Sequence, residues 1–195
     1  MLKGVNEMGP RGLRRGRGAR ERILAAAERL FRERGISATG MDQLCEEAQV
    51  SKRTAYQHFG SKDELVAAYL RGRDPDTMPE VFDRMDLSPR QRLLAAFEVS
   101  PSEQGVPPLC PFIGASVEIA DPEHPGRVRA REYKEAVAAR LTQAASDAGA
   151  ADPEGLGEQL ALLLDGASAR TRALGVDAMP AAAGIAALLI DHAIG

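Results

Sequence analysis

The sequence predicts an all-α protein of about nine helices, and three observations carry that expectation. Apolar residues recur at spacings of three and four along most of the chain, the period of a helix with one buried face. Helix starts are marked by Ser51, Ser61 and Ser88-Pro89, residue types that cap a first turn or fit its first position. Beyond residue 74 no stretch alternates polar and apolar residues as a half-buried strand would.

The elements follow in order. From Arg20, the residues Ile23, Leu24, Ala27, Leu30 and Phe31 form one amphipathic stripe that stops at Gly35. Thr39 is expected to cap a second, short helix, with Asp42 reaching back to it and Met41, Leu44, Cys45 and Ala48 on its buried face. Gln49-Val50 interrupts that helix and Ser51 caps a third segment at 52–59. Two short helices about three residues apart have the spacing of a helix-turn-helix. Ser61-Lys62-Asp63-Glu64 reads as a capping box, opening a fourth helix with Leu65, Val66, Ala68, Tyr69 and Leu70 on its apolar face. Asp74-Pro75 and Pro79 then punctuate the chain.

Ser88-Pro89 leads into a helix carrying Leu93, Leu94 and Phe97, and 101–108, with Gly105 and three prolines, reads as a loop. A helix from Cys110-Pro111 carries Phe112, Ile113, Ala115, Val117 and Ile119, apolar on nearly every side and therefore expected to be buried. After a break at 121–126, the longest amphipathic helix runs over about 127–148 with Tyr133, Val137, Leu141, Ala144 and Ala148 in one stripe. The last two helices, about 153–174 and 180–194, have more apolar surface than one side of a small domain needs. A homodimer through these helices is the expectation, two from each subunit making a four-helix bundle.

Composition narrows the function. With 195 residues, 44% hydrophobic and 27% charged, the chain can build a substantial core, which excludes wholesale disorder. Its longest apolar run, 181–190, is about half of the ~20 residues of a membrane-spanning helix. Arg residues near the N-terminus precede no apolar segment of a secretory signal, so the expected location is the cytoplasm, with no membrane partner. Cys45 and Cys110 form no C-x-x-C pairing, and His58, His124 and His192 lie far apart. No metal, cofactor or catalytic residue is therefore expected.

The net charge of −3 is unevenly distributed. Residues 1–73 hold 15 Lys+Arg against 9 Asp+Glu, a net of +6, whereas 74–195 hold 10 against 19, a net of −9. This divides the chain into a flexible, Gly-rich basic arm at 1–19, a basic helical domain at 20–73 and an acidic helical domain at 74–195. The arm reads either as a tether for phosphates, whose attraction falls with salt, or as a solubilising leader.

The third helix carries the chemistry. Ser51, Lys52, Arg53, Thr54, Tyr56, Gln57 and His58 form a surface rich in donors, with only Ala55 and Phe59 as core candidates. Lys52 or Arg53 can donate to guanine in a major groove and Gln57 can address adenine. Thr39, Tyr56 and Lys62 are candidates for phosphate, Thr39 and Lys62 because helix N-termini also present backbone N–H groups, and Gly40 is a further candidate for DNA contact. The alternative for each residue is an ordinary solvated face.

Residues 20–73 resemble the N-terminal DNA-binding domain of the TetR family of transcriptional repressors. The resemblance rests on Gly35, Ala38-Thr39, the stretch from Val50 to Phe59 and Ser61-Lys62-Asp63-Glu64-Leu65. It implies that Lys52, Arg53 and their neighbours read bases, that Thr39, Tyr56 and Lys62 grip phosphates, and that Phe59 packs in the core. Gln49 stands where the family usually has Gly in the turn, so a positive φ is expected there. The implied function is a non-enzymatic repressor binding a palindromic double-stranded DNA operator as a dimer and released by a small-molecule effector. The expected effector site holds Leu93, Phe97, Cys110, Phe112, Ile113, Val117, Glu118 and Tyr133, with Glu118 available to a cationic ligand. Rival readings are a ligand-independent helical DNA-binding protein, which a fully packed second domain would favour, and a small helical enzyme.

Overall fold

The computed structural model describes residues 18–98 and 109–195, and among them ten α-helices and no strand. Most of the expected basic arm and the loop at 101–108 lie outside the described residues. Four helices form the N-terminal unit: α1 (Ala19–Arg34), α2 (Met41–Glu47), α3 (Lys52–His58) and α4 (Lys62–Gly72). Six follow: α5 (Pro79–Phe82), α6 (Pro89–Ala95), α7 (Pro111–Glu118), α8 (Pro125–Asp147), α9 (Pro153–Leu174) and α10 (Met179–Ile194). The helix beyond the expected nine is α5, a single turn. Pro79, read as punctuation, occupies its first position, where a missing N–H costs no hydrogen bond.

Local chemistry sets the ends. Ser51, Ser61 and Ser88 each accept a bond from the backbone N–H three residues on, at 3.1, 3.1 and 3.3 Å. At Ser88 the reciprocal half is also made, Ser88 N–H donating to Gln91 Oε1 at 2.8 Å. Two expectations at helix starts differ. Gly40, not Thr39, caps α2, because Gln43 rather than Asp42 reaches back, its Oε1 accepting from Gly40 N–H at 3.0 Å. Ala19, assigned to the arm, is wholly buried at the start of α1.

Two cores result. The first contains Ile23, Leu30, Phe31, Leu44, Phe59 and Leu65 of the N-terminal unit and extends to Phe112, Ala115, Ile119 and Ala130. Thus α7 and the start of α8 complete the core of the basic helices. The second core, built from α5, α6, α8, α9 and α10, contains Phe82, Leu93, Phe97, Leu141, Leu160 and Ile190. Tyr133 packs against both.

The seam between them is close. At Gly126 a Cβ would lie 2.6 Å from Val66 Cγ1, so only glycine lets α8 approach α4 this far. His124 accepts from Gly126 N–H through Nδ1 at 2.9 Å while its Nε2 lies 3.1 Å from Asp63. Asp74, almost fully buried, pairs with Arg129 of α8 and accepts from Thr77 N–H at 2.7 Å. The linker between α4 and α5 is held in an uncommon conformation, with positive φ at Asp76, Thr77 and Met78 in succession. No helix among the described residues is long and apolar enough to cross a membrane.

Candidate nucleic-acid interface

The turn between α2 and α3 closes through Val50 N–H donating to Cys45 O at 3.0 Å, which requires Gln49 to adopt φ 53. The expected positive φ is present without glycine. Ala55 and Phe59 anchor α3 in the core at 1% and 3% exposure, and Arg20 lies over the Phe59 ring at 5.4 Å. Those anchors turn Lys52, Arg53, Tyr56, Gln57 and His58 outward, all exposed. Thr54 is half-buried, its hydroxyl 2.8 Å from Ser51 Oγ, while Gly40 is exposed at the start of α2. Lys52 pairs with Asp42 at 2.5 Å, and that hydrogen bond and charge push the ammonium pKa up. Contact with a phosphate would therefore exchange one anion for another, whereas Arg53 makes no such pair among the described residues.

Two expected phosphate contacts are placed differently. Thr39 is fully buried, and its hydroxyl donates to Gly35 O at 2.7 Å. Gly35, at φ 90, turns that carbonyl back toward it. Lys62 Nζ donates to Ile36 O at 2.7 Å, and burial lowers its pKa. Both side chains hold the loop between α1 and α2 in place, a role that spacing along the chain does not distinguish from phosphate binding. Thr39→Val is expected to cost about 1–3 kcal/mol, because it strands a buried carbonyl, and to leave the salt dependence of DNA binding unaltered. Urea unfolding and a salt titration of binding check the two halves.

The expected effector residues do not form one site. Leu93 and Phe97 are buried in the second core, whereas Phe112 is buried in the first and stacks on Tyr133 at 3.7 Å. Ile113 is half-buried, and Val117 is 78% exposed, so α7 is not the wholly buried helix that its composition suggested. Glu118 faces the basic helices. Its carboxylate accepts from Ser37 N–H at 2.9 Å and its backbone carbonyl from Ser37 Oγ at 3.1 Å.

Only Cys110 and Tyr133 of that set line a cavity of about 270 Å³ inside the acidic helices. Its other walls include Met78, Val137, Leu164, Ser168 and Met179, with Lys134 and Asp165 paired at its edge. Ser168 Oγ accepts from Cys110 N–H at 3.0 Å. Burial pushes the Tyr133 phenol well above its ordinary pKa, so it stays a neutral hydroxyl. Sequence reasoning missed Met78, Ser168 and Met179; the two polar positions Ser168 and Thr171 on α9 were the available signal.

A short helix held by two apolar anchors, with its donors turned outward after a tight turn, defines the class of helix-turn-helix DNA-binding regulators. The family model of bacterial regulatory proteins of the tetR family matches residues 23–69. A solved TetR transcriptional regulator of Streptomyces avermitilis is 34% identical, with TM-score 0.77, over 90% of this chain and 97% of that one. The TetR-family regulator SCO4454 of Streptomyces coelicolor is 25% identical, with TM-score 0.76, over 91% and 96%. The transcriptional activator FasR of Mycolicibacterium smegmatis is 42% identical over 91 residues, which are 46% of this chain and 39% of FasR. The chain belongs to the TetR family and is a DNA-binding transcriptional regulator.

Proposed function

We propose that this protein is a repressor that binds a palindromic operator as a homodimer and leaves it when a small molecule enters the cavity between α8 and α9. The outward, donor-rich face of α3 carries the DNA part of this reading. Arg53 and Gln57 are assigned to base edges, and Lys52, Tyr56, Ser51, Thr54, His58 and the exposed backbone at Gly40 to the surrounding phosphates. Thr39 and Lys62 act one step back, by fixing the loop before α2.

The dimer part is supported by Leu162, Ile185 and Leu188, which are 74%, 49% and 73% exposed on α9 and α10. Such an apolar face on a single chain marks an interaction surface. Two recognition helices about 34 Å apart would then meet successive major grooves. The effector part is supported by the cavity, which a ligand-independent protein would not need. Its apolar walls with a few hydroxyls suit a small, mainly apolar molecule carrying one or two hydrogen-bonding groups. Leu164→Trp, which adds bulk into that space, is expected to keep the repressor on DNA at effector concentrations that release the unaltered protein.

In-vitro transcription from a footprinted operator tests the whole reading. Repression relieved by an effector supports it. Stimulation of transcription would instead support an activator, as FasR, similar over 91 residues, is named.

A further inference from the structure

A second cleft, of about 170 Å³, lies where the end of α1, α4, α7 and the last turns of α9 meet. Its chemistry differs from that of the effector cavity. Arg32, Arg34, Arg73 and Arg172 line it, together with Tyr69 and Glu118. Glu28 accepts from Arg32 at 2.8 Å and from Arg73 at 2.9 Å, so one carboxylate serves two cations and holds both in place. Arg34 and Arg172 have no ion-pair partner among the described residues. The Glu118 carboxylate is already taken by Ser37 N–H. Two of the four guanidiniums therefore share one carboxylate, and the other two have none among the described residues. Burial raises the Tyr69 pKa, so its hydroxyl remains a donor.

Guanidinium forks match the paired oxygens of carboxylates and phosphates, and a partly enclosed cleft strengthens the attraction over that in bulk water. We propose that this cleft binds a small multivalent oxyanion, presented by phosphate or carboxylate groups, that joins Arg34 of the N-terminal unit to Arg172 of α9. The anion neutralises surplus positive charge at a place where the basic helices and the acidic helices meet. Its binding therefore fixes the placement of one unit against the other. This site stands whether or not the larger cavity takes an effector, since the arginines do not line that cavity.

Calorimetric titration of the full chain with pyrophosphate, and separately with citrate, at constant ionic strength tests the proposal. Saturable binding of at least one probe at one site per chain, with a raised Tm, is the expected result. The tighter probe identifies phosphate or carboxylate as the preferred source. R34Q/R172Q is expected to weaken binding at least tenfold, and R131Q, an exposed arginine on α8 away from the cleft, to leave it unchanged. If circular dichroism shows that the double glutamine variant has lost its helices, R34K/R172K reads the same question. A loss of at least threefold is then expected, because an ammonium makes no bidentate fork. No saturable binding of either probe at millimolar concentration, an undiminished affinity in the double variant, or an equal loss in R131Q overturns the proposal.

Discussion

Changing Lys52, Arg53 and Tyr56 together to Ala is expected to abolish specific operator binding while the protein stays folded and dimeric. Each good base or phosphate contact contributes about 1–3 kcal/mol, and a dimer loses every contact twice. Even the low end of that range, summed over two recognition helices, reduces affinity to the non-specific level, at least a thousandfold. Folding should be spared because α3 is anchored by Ala55 and Phe59, which the substitutions leave in place. The three changes should not contribute equally. Lys52 already pairs with Asp42, so moving it to a phosphate breaks one ion pair to make another. Lys52→Ala alone is therefore the mildest of the three, and Arg53→Ala relaxes sequence preference most. Electrophoretic mobility shifts over a range of salt concentrations measure both effects. Unchanged specific binding by the triple variant would remove α3 from the recognition role.

Introducing charge at the exposed leucines of α9 and α10, as Leu162→Glu with Leu188→Glu, is expected to give monomers and to lower operator affinity by a hundredfold or more. Fully burying a leucine contributes about 1.5–3 kcal/mol, and symmetry doubles each loss in a homodimer. Carboxylates brought together there would add repulsion and desolvation. The operator effect follows without any change in α3, because two linked reading heads bind far more tightly than one. Sedimentation velocity gives the mass and footprinting the occupancy. A dimer of unchanged stability would place the interface on another face of the molecule.

Much of the helical framework was legible because it depends on residues close in sequence. Ser51, Ser61 and Ser88 announce their helices through bonds to backbone groups three residues away. The five exposed positions of α3 were likewise readable, since a helix of seven residues with one apolar anchor, Ala55, and a second, Phe59, at its end has one way to face a core. The same local logic failed at Thr39. A threonine before a helix reads as a cap, yet its hydroxyl turns back to the Gly35 carbonyl and Gly40 takes the capping position. Lys62 at a helix start reads as an anion contact, but the Ile36 carbonyl, 26 residues earlier, is close enough to take its donor.

The effector region was least legible. Periodicity identifies which residues of each helix turn inward, but it does not say which inward faces meet tightly and which leave a gap. Glu118 illustrates the first case, because its partner Ser37 is 81 residues away in another unit. The cavity illustrates the second, because Met78, Tyr133, Leu164 and Met179 reach it from four separate parts of the chain.

By itself, the sequence determined the all-helical class, the helix-turn-helix, the residues that α3 presents and the split between a basic and an acidic part. These rest on capping, on the 3.6-residue period and on charge, all of which act within a few residues or sum along a segment. Only the tertiary structure decided which groups Thr39, Lys62 and Glu118 bond to, that α7 and α8 complete the first core, and where empty space remains. Those outcomes depend on how side chains from distant segments fill a shared volume, and no short-range rule specifies that filling.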